Sequence, residues 1–430
     1  MTVYENTPTT IASEPSSKRW VVAATVVGTT IEWYDFFIFG TASALVFSKL
    51  FFPSIDPVSG TLASFATFAV GLFARPLGGL VFGHFGDRIG RKSMLLLSLF
   101  LMGIPTVLIG LLPTYSQIGI WAAVLLVILR ICQGIAVGGE WGGAVLMAVE
   151  HANGKKESLF GSLPQAGTPA GLILATLVFA YMSSFSEADF LAWGWRVPFL
   201  ASIVLILLGS FVRSKVPESP VFLQAKNEGQ TVAVPSAEVV NTHLRPLFLA
   251  VGAKLAEVTL FYLVTVFILQ YSTVTLGLSR AEILNSILIA ATVGLFAIPI
   301  YGYFGDKIGA RTIYGVGGIL LALFAIPLFL MVNTKDPMLI RLAIVVSLGL
   351  IYPTMFGLQP ALYAAQFPPG IRYSGMSLGV QIAAAIGGGL APIIATTLLT
   401  VTGSTLAIGF YLGGLAILAA ACAFAMKAPK

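Results

Sequence analysis

Ionisable side chains lie inside stretches of this sequence that are otherwise almost entirely apolar. Glu32 and Asp35 are three residues apart in the first long apolar run, and Arg75 and Arg130 lie in two later runs. An ionisable side chain at the centre of a bilayer costs about 2.5–3.5 kcal/mol on insertion scales, so these residues are functional candidates. Carboxyl groups in such a place can bind and release a proton, and a guanidinium can bind a carboxylate. The pattern therefore indicates proton and anion chemistry inside a membrane.

Two interpretations of these four residues remain open at the level of sequence. In the first, Asp35 and Glu32 carry a coupling proton, while Arg75 and Arg130 bind an anionic substrate. In the second, the acids and the arginines form static ion pairs. The two interpretations are compatible if protonation of an acid releases the arginine that it holds.

Other polar side chains in the apolar runs extend the candidate set. Gln133 lies one helical turn after Arg130, and we expect it to form hydrogen bonds in the substrate cavity. Lys254 and Glu257 are also three residues apart, so they either bind substrate or neutralise each other. Tyr34 is a candidate for the cavity lining, although an aromatic residue that faces lipid would look the same in the sequence.

The composition of the chain places it in a lipid bilayer. Of its 430 residues, 57% are hydrophobic and 10% are charged, whereas a soluble domain has about 25% charged residues. The net charge of +6 comes from lysines and arginines that cluster in short turns between the apolar runs. This distribution is typical of membrane topology and argues against a basic surface that binds nucleic acid.

The lengths of the apolar runs predict an all-α membrane protein with twelve transmembrane helices in two sets of six. About 20 apolar residues cross the hydrocarbon core as one helix. Most lysines and arginines fall in alternate turns, which predicts that both termini are cytoplasmic. The predicted divisions are a disordered cytoplasmic tail at 1–19, a first six-helix bundle at 20–212, a cytoplasmic linker at 213–245 and a second six-helix bundle at 246–430.

A charged, glycine-rich turn occurs twice, about half the chain length apart. The first copy reads GHFGDRIGRK at 83–92, and the second reads GYFGDKIGAR at 302–311. Two equivalent turns imply two equivalent halves. Duplicated halves are typical of transporters in which one half rocks against the other around a central site.

The repeated turn resembles the cytoplasmic signature of the major facilitator superfamily, G-x-x-x-D-R-x-G-R. The first copy has every signature residue, namely Gly83, Asp87, Arg88, Gly90 and Arg91. The second copy keeps Gly302, Asp306, Gly309 and Arg311 but has Lys307 in place of the first arginine. The resemblance implies a fold of two pseudo-symmetric six-helix bundles, in which these turns form a cytoplasmic gate.

Four acidic or basic residues outside the first copy belong to the same predicted gate. Asp306 is expected to cap or pair with a neighbouring helix end, and Arg311 is expected to hold the halves in register. Glu140 lies among glycines towards the cytoplasmic end of the fourth run, where tight packing is the alternative. Glu150 is expected to pair with the arginines of the first turn, with simple solvation as its alternative.

A narrower resemblance covers nearly the whole chain. Five segments are similar to the metabolite:proton symporter family: GTTIEWYDFF at 28–37, FARPLGG at 73–79, RICQGIAVGGEWGG at 130–143, WGWRVPF at 193–199 and ESPVF at 218–222. Members carry shikimate, 2-oxoglutarate, citrate and related acids, or betaine and proline. The resemblance implies proton-coupled uptake of a small carboxylated metabolite across a bacterial plasma membrane, with Arg75 in the substrate region.

Two other transport functions remain as alternatives. A symporter of betaine or proline would hold its substrate through aromatic contacts from Trp33, Tyr34 and Trp141. A drug/proton efflux antiporter would carry a glycine-proline pattern in the fifth run, and the sequence at 167–171 matches that pattern poorly. The sequence has no phosphate-binding loop and no metal-ligand cluster. We therefore expect no enzymatic activity and no cofactor or metal, only the proton as coupling ion, in a carrier that works as a monomer.

Overall fold

The computed structural model describes residues 15–53, 56–89, 91–138, 141, 145, 149, 156–215, 235–368 and 371–429. In these ranges the side chains of 15–25, 80–95, 212–215, 235–237 and 373 lie outside the description. Every regular element in the described ranges is a helix. The apolar composition explains this, because a helix satisfies all of its backbone hydrogen bonds within one segment.

The described residues of the first half form six long helical segments. They are α1 at Pro15–Ala42 (continued by a π-helical turn at Ser43–Phe47), α2 at Pro57–Ile89, α3 at Arg91–Leu111, α4 at Trp121–Val137, α5 at Glu157–Gln165 and Gly167–Met182, and α6 at Val197–Lys215. A short helix at Glu187–Ala192 connects α5 to α6.

The second half repeats this arrangement. Its segments are α7 at Leu244–Tyr262 (continued by π-helical turns at Leu263–Ile268 and Tyr271–Thr275), α8 at Arg280–Phe304, α9 at Ala310–Asn333, α10 at Pro337–Ile344, Tyr352–Phe356 and Gln359–Ala364, α11 at Arg372–Ala383 and Ala391–Thr402, and α12 at Leu406–Ala425. A short helix at Pro235–Thr242 lies in the predicted linker.

Asp-Pro pairs begin two of these helices. The Asp56 carboxylate accepts hydrogen bonds from the second and third backbone N–H groups of α2, and Asp336 does the same for α10. Pro57 and Pro337 follow at the first helical position, where a missing N–H group costs nothing. The helix starts therefore follow from local sequence.

Eight stretches of the described residues are long and apolar enough to cross a membrane. One of them, Arg280–Asn333, has 54 residues, and as one helix it would measure about 80 Å, far more than the ~30 Å hydrocarbon core. Gly309, with φ of 103°, separates it into α8 and α9. The chain is thus a multi-pass membrane protein. The number of crossings and the side of the termini stay predictions.

Close contact between α2 and α4 brings the two membrane arginines together. A Cβ atom at Gly78 would collide with the carbonyl of Ile135, and one at Gly138 would collide with the carbonyl of Arg75. Small residues allow such close approach of helices in membranes. A Cβ atom at Gly71 would also collide with the Arg130 side chain. These glycines therefore allow α2 and α4 to pack closely, and this packing determines where Arg75 and Arg130 lie.

The turn predicted at 83–92 is largely helical. Helix α2 runs on through 83–89, and α3 begins at Arg91. The side chains of Asp87, Arg88 and Arg91, and the residues Gly90, Glu140 and Glu150, lie outside the described residues, so their predicted gate roles stay predictions. Gly83 belongs to the described backbone of α2.

The halves meet mainly through two helix pairs, α5 with α8 and α2 with α11. Helix α5 passes so close to α8 that a Cβ atom at Gly302 would collide with the Ser162 side chain. Gly302, the first residue of the second glycine-rich turn, is thus required for this close contact between the halves.

Candidate functional site

A small cavity lies between the halves, and four of the predicted site residues line it: Glu32, Arg75, Lys254 and Glu257. Helices α1 and α2 contribute Glu32 and Arg75, and α7 contributes Lys254, Glu257 and Tyr262. Its volume of about 30 Å³ has room for only a few water molecules. The cavity as it stands is therefore too small for a metabolite.

Arg75 presents a buried guanidinium to the cavity. Its side chain is 4% exposed, and its Nε atom has no hydrogen-bond partner. The guanidinium carbon lies 4.3 Å from the centre of the Phe36 ring and 5.7 Å from that of Trp33. Glu32 lines the same cavity and attracts Arg75 electrostatically. One N–H donor of Arg75 thus has no hydrogen-bond partner among the described residues.

Arg130 lies behind the cavity wall. It is 1% exposed, and its guanidinium carbon lies 4.5 Å from the centre of the same Phe36 ring that contacts Arg75. Its Nη1 donates to Gln133 Oε1 at 3.2 Å, whereas Nε and Nη2 have no partner. Within the described residues no ion pair joins Arg130 to a carboxylate. The static pairing of Asp35 with Arg130 that the sequence left open is therefore not formed in this state.

Asp35 is held by hydroxyl groups. It is 2% exposed and accepts a hydrogen bond of 2.6 Å from Ser202 of α6. The Thr106 hydroxyl of α3 lies near the carboxylate, and it donates its proton to the Met102 carbonyl at 2.9 Å. A carboxyl that has neutral donors and no direct cation can exist in the ionised or the protonated form, as a proton carrier requires.

Gln133 completes a chain of polar side chains between Asp35 and Arg130. Its Nε2 donates to Thr106 Oγ1 at 2.8 Å, while its Oε1 accepts from Arg130. Gln133 is 1% exposed and does not line the cavity. The structure therefore places it one layer deeper than the sequence predicted.

Tyr34 also differs from its predicted place. Its hydroxyl donates to the carbonyl of Pro198 in α6 at 2.7 Å, and the side chain is buried. It is not part of the cavity lining. A tyrosine between two helices can satisfy its hydroxyl there, so Tyr34 packs α1 against α6.

In the second half Lys254 and Glu257 pair with each other, as one of the two alternatives predicted. The Nζ–Oε2 distance is 3.1 Å, and both side chains are buried. Gln359 bridges the pair, since it accepts from Lys254 at 3.0 Å and donates to Glu257 at 2.8 Å. The opposite charges of Lys254 and Glu257 leave this cluster without net charge, and the amide of Gln359 satisfies hydrogen bonds of both. The pair still lines the cavity.

At the end of α8 Asp306 joins the halves. Its carboxylate accepts the backbone N–H groups of Ser158 at 2.9 Å and Leu159 at 3.1 Å, in the first turn of α5. An anion is stabilised at a helix N-terminus by the unpaired N–H groups there. Arg311, in contrast, donates to the carbonyl of Met426 within its own half. Asp306 is therefore placed between the halves, whereas Arg311 is not.

An ion-pair cluster joins the halves at the other end of α8. Glu187 Oε1 lies 2.9 Å from Lys49 Nζ in its own half, and Glu187 Oε2 lies 2.6 Å from Arg280 Nη2 in the second half. All three residues line a cleft of about 450 Å³. We call this cluster the outer latch, because the sequence predicts this side to be extracytoplasmic. Sequence reasoning missed it, since the partners are far apart along the chain.

The outer latch is independent of pH in the physiological range. Partial burial opposes ionisation of Glu187, but hydrogen bonds from Lys49 and Arg280 outweigh it and lower the pKa of this carboxyl. A lowered pKa means that the ion pairs persist above the ordinary pKa of a glutamate and are lost only as the pH falls through the lowered value. Any dependence of transport on pH near neutrality must therefore arise elsewhere.

We expect Glu187→Gln to open the cleft more often to the outside. Exposed ion pairs contribute about 0.2–1 kcal/mol each. The fraction of molecules with the cleft open to the outside should therefore rise about two- to fivefold. The measurement is the rate at which a membrane-impermeant maleimide labels Thr273→Cys, which lines the cleft, with the parent as background. High salt should act in the same direction.

The matched control for this labelling is Glu238→Gln, an exposed glutamate without an ion pair among the described residues. It should leave the labelling rate unchanged. Equal rates for Glu187→Gln and its parent at low salt would show that the outer latch does not hold the halves together.

Residues 25–392 match the sequence model of the Major Facilitator Superfamily. The chain belongs to this superfamily. The helical architecture and the paired turns fit that assignment, and they make this facilitator a membrane transporter and not an enzyme.

Relatives of known name agree with the narrower resemblance to metabolite transporters. The chain is 39% identical to the shikimate transporter of Escherichia coli K12, over 96% of this chain and 95% of that one. It is 41% identical to the inner membrane metabolite transport protein YhjE of the same organism, over 93% and 92%. The proline/betaine transporter of E. coli K12 is 33% identical, over 95% and 83%. This facilitator is thus a multi-pass protein of the bacterial inner-membrane type.

Solved structures share the fold of this facilitator. The crystal structure of a D-xylose-proton symporter superposes with a TM-score of 0.72, covering 95% of this chain and 97% of that one. The identity is 19%, so this likeness shows the fold alone. The predicted two-bundle facilitator fold is confirmed.

Proposed function

We propose that this facilitator takes up a small carboxylated metabolite together with protons by alternating access. One observation carries the proposal: Arg75 and Arg130 are buried between apolar helices with N–H groups that have no partner. A buried donor without a partner costs free energy, more so when it is charged. A substrate carboxylate would satisfy these donors through charge-assisted hydrogen bonds.

In the proposed cycle a proton from outside binds Asp35 first. When Asp35 loses its negative charge, it no longer balances the positive charges of Arg75 and Arg130. The site therefore attracts an anion. The substrate carboxylate then binds Arg75 at the cavity, and the halves rock so that the cavity opens to the other side. Deprotonation of Asp35 there restores the acid charge and favours release of the substrate. The proton is the only coupling ion in this proposal, and the carrier acts as a monomer.

The chemistry of the cavity favours organic acids over betaine or proline. Betaine carries a quaternary ammonium, which two nearby arginines would repel. Of the aromatic residues proposed to hold it, Tyr34 does not line the cavity, and the Trp33 ring already has the Arg75 guanidinium 5.7 Å from its centre. Lys254 and Glu257 add no net charge to the second half.

Uptake into proteoliposomes tests the proposal. The labelled substrates are shikimate, 2-oxoglutarate, citrate and betaine, each with and without an inward proton gradient. We expect at least one acid to accumulate only when the gradient is present, and a protonophore to abolish this accumulation. Accumulation of betaine alone would contradict the proposed substrate class, and uptake of an acid regardless of the gradient would contradict the coupling.

A further inference from the structure

We propose that Thr106 and Gln133 are positioning residues that connect the proton site at Asp35 to the guanidinium of Arg130. This inference rests on the proposed function, which it deepens by naming the path between proton and anion. Neither Thr106 nor its hydrogen bonds stand out in the sequence, because hydroxyl side chains are common in membrane helices. The path exists only in the packed structure of α1, α3 and α4.

The hydrogen bonds of this path run from Arg130 towards Asp35 as far as Thr106. Arg130 donates to the Gln133 oxygen, and the Gln133 amide nitrogen donates to the Thr106 oxygen. The Thr106 hydroxyl lies close enough to the Asp35 carboxylate to interact with it, and in this structure it donates its proton to the Met102 carbonyl. Hydrogen bonds in such a series polarise one another, so a change at one end is felt at the other.

The side chains of this path are shielded from solvent. All four side chains are at most 2% exposed. Bulk solvent does not contact these links, so the loss of one link leaves a buried polar group without its protein partner, at a cost in free energy. An arginine with a merely structural role would satisfy its donors with an acid or with carbonyl groups, as Arg196 does with the carbonyls of Gly110 and Leu112. Arg130 instead uses one donor on the path and keeps two free.

The Thr106 hydroxyl can change its hydrogen-bond acceptor. Its single hydroxyl proton has two acceptors within reach: the Met102 carbonyl, which accepts it at 2.9 Å in this structure, and the nearby Asp35 carboxylate. When Asp35 is ionised, the hydroxyl donates to the carboxylate and the path is complete. When Asp35 carries a proton, it no longer needs this donor, and the hydroxyl donates to Met102. The path then loses its anionic end, and Arg130 becomes available to an anion.

No other described side chain offers a competing direct charge to Asp35. On its own helix α1, Glu32 and Tyr34 are the neighbouring titratable groups. The helices around it contribute the hydroxyls of Thr106 and Ser202, Arg130 at the far end of the path, Arg75 on the other side of Phe36, and Lys254, Glu257 and Tyr262 across the cavity. Since Lys254 and Glu257 neutralise each other, the balance between Asp35 and the arginines governs the charge of the site.

The test compares Thr106→Val, which removes the hydroxyl at nearly constant shape, with Thr106→Ser, which keeps it. Two activities are measured in proteoliposomes: exchange of labelled for unlabelled acid, which needs no net proton movement, and accumulation driven by a proton gradient. For the valine variant we expect exchange close to that of the parent and accumulation reduced about tenfold or more, the usual scale of coupling between sites. Its uptake should also lose most of its dependence on pH, and the serine variant should restore both properties.

Gln133→Leu breaks the path at the next link and should give the same separation of exchange from accumulation. If Thr106→Val fails to fold, Thr106→Ala removes the hydroxyl without adding bulk. Parental accumulation and pH dependence in the threonine and glutamine variants would overturn the inference. If Asp35→Asn were unaffected as well, the proposed function itself would fail, so the two failures are distinguishable.

Discussion

We expect Asp35→Asn to abolish accumulation of the acid against its gradient while it preserves exchange of internal for external substrate. Asparagine has nearly the same shape as aspartate, and its oxygen can still accept the hydrogen bond from Ser202. It cannot bind or release a proton, so the cycle can no longer couple to the gradient. The measurements are gradient-driven uptake and exchange in the same vesicles.

Glu32→Gln is the matched control, because Glu32 lies one turn away on α1 and lines the cavity. It should weaken uptake through the lost interaction with Arg75 but leave the dependence on pH intact. Uphill uptake by Asp35→Asn with unchanged pH dependence would contradict the assignment. Loss of coupling in Glu32→Gln alone would move the proton site to Glu32.

Arg75→Lys should raise the KM for the acid about ten- to hundredfold and change the maximal rate less. Lysine keeps the positive charge, but it lacks the planar guanidinium that can bind a carboxylate through two hydrogen bonds and that stacks on Phe36. Hydrogen bonds to charged groups contribute about 1.5–3 kcal/mol each, which corresponds to this range. Arg75→Ala should raise the KM further, since it removes the positive charge of Arg75 from the cavity.

Arg196→Lys provides the control for the arginine chemistry. Arg196 also stacks on an aromatic ring, 4.5 Å from the centre of Trp195, but it binds backbone carbonyls away from the cavity. Its substitution should lower thermal stability and leave KM unchanged. A parental KM in both Arg75 variants would show that the substrate carboxylate binds elsewhere.

Much of the fold was predictable because the bilayer imposes a simple rule. Long apolar runs become helices, and the charged turns between them mark where helices end. The structure begins α2 and α10 at Asp-Pro pairs and ends α8 near the second charged turn. The first turn was misjudged, since glycines and charges do not stop α2 before Ile89.

The buried charged residues at and near the cavity were predictable for the same reason. A charge in a membrane span is costly, so Asp35, Arg75 and the pair of Lys254 and Glu257 stand out from their surroundings. Their neighbours were not predictable. Thr106 and Ser202 matter only because α3 and α6 happen to face Asp35, and no periodicity in the sequence marks that contact.

The sequence also did not show which side chains line the cavity and which lie behind it. Arg75 and Arg130 look alike in the sequence, yet Phe36 contacts both and only Arg75 lines the cavity. Tyr34 and Gln133 were expected at the same cavity, but each bonds to a neighbouring helix. Tertiary packing decides which face of a helix meets a cavity, and local patterns do not determine it.

The most direct test of the account is the movement of protons that accompanies the acid. Proteoliposomes with equal pH on both sides, a clamped membrane potential and an internal pH indicator receive a transported acid on the outside, and empty liposomes correct for passive entry of the neutral acid. The account predicts that the interior acidifies as the acid enters through the parent protein, and that this acidification is lost in Asp35→Asn while exchange persists. Entry of the acid through the parent without acidification, or acidification retained in Asp35→Asn, would contradict it.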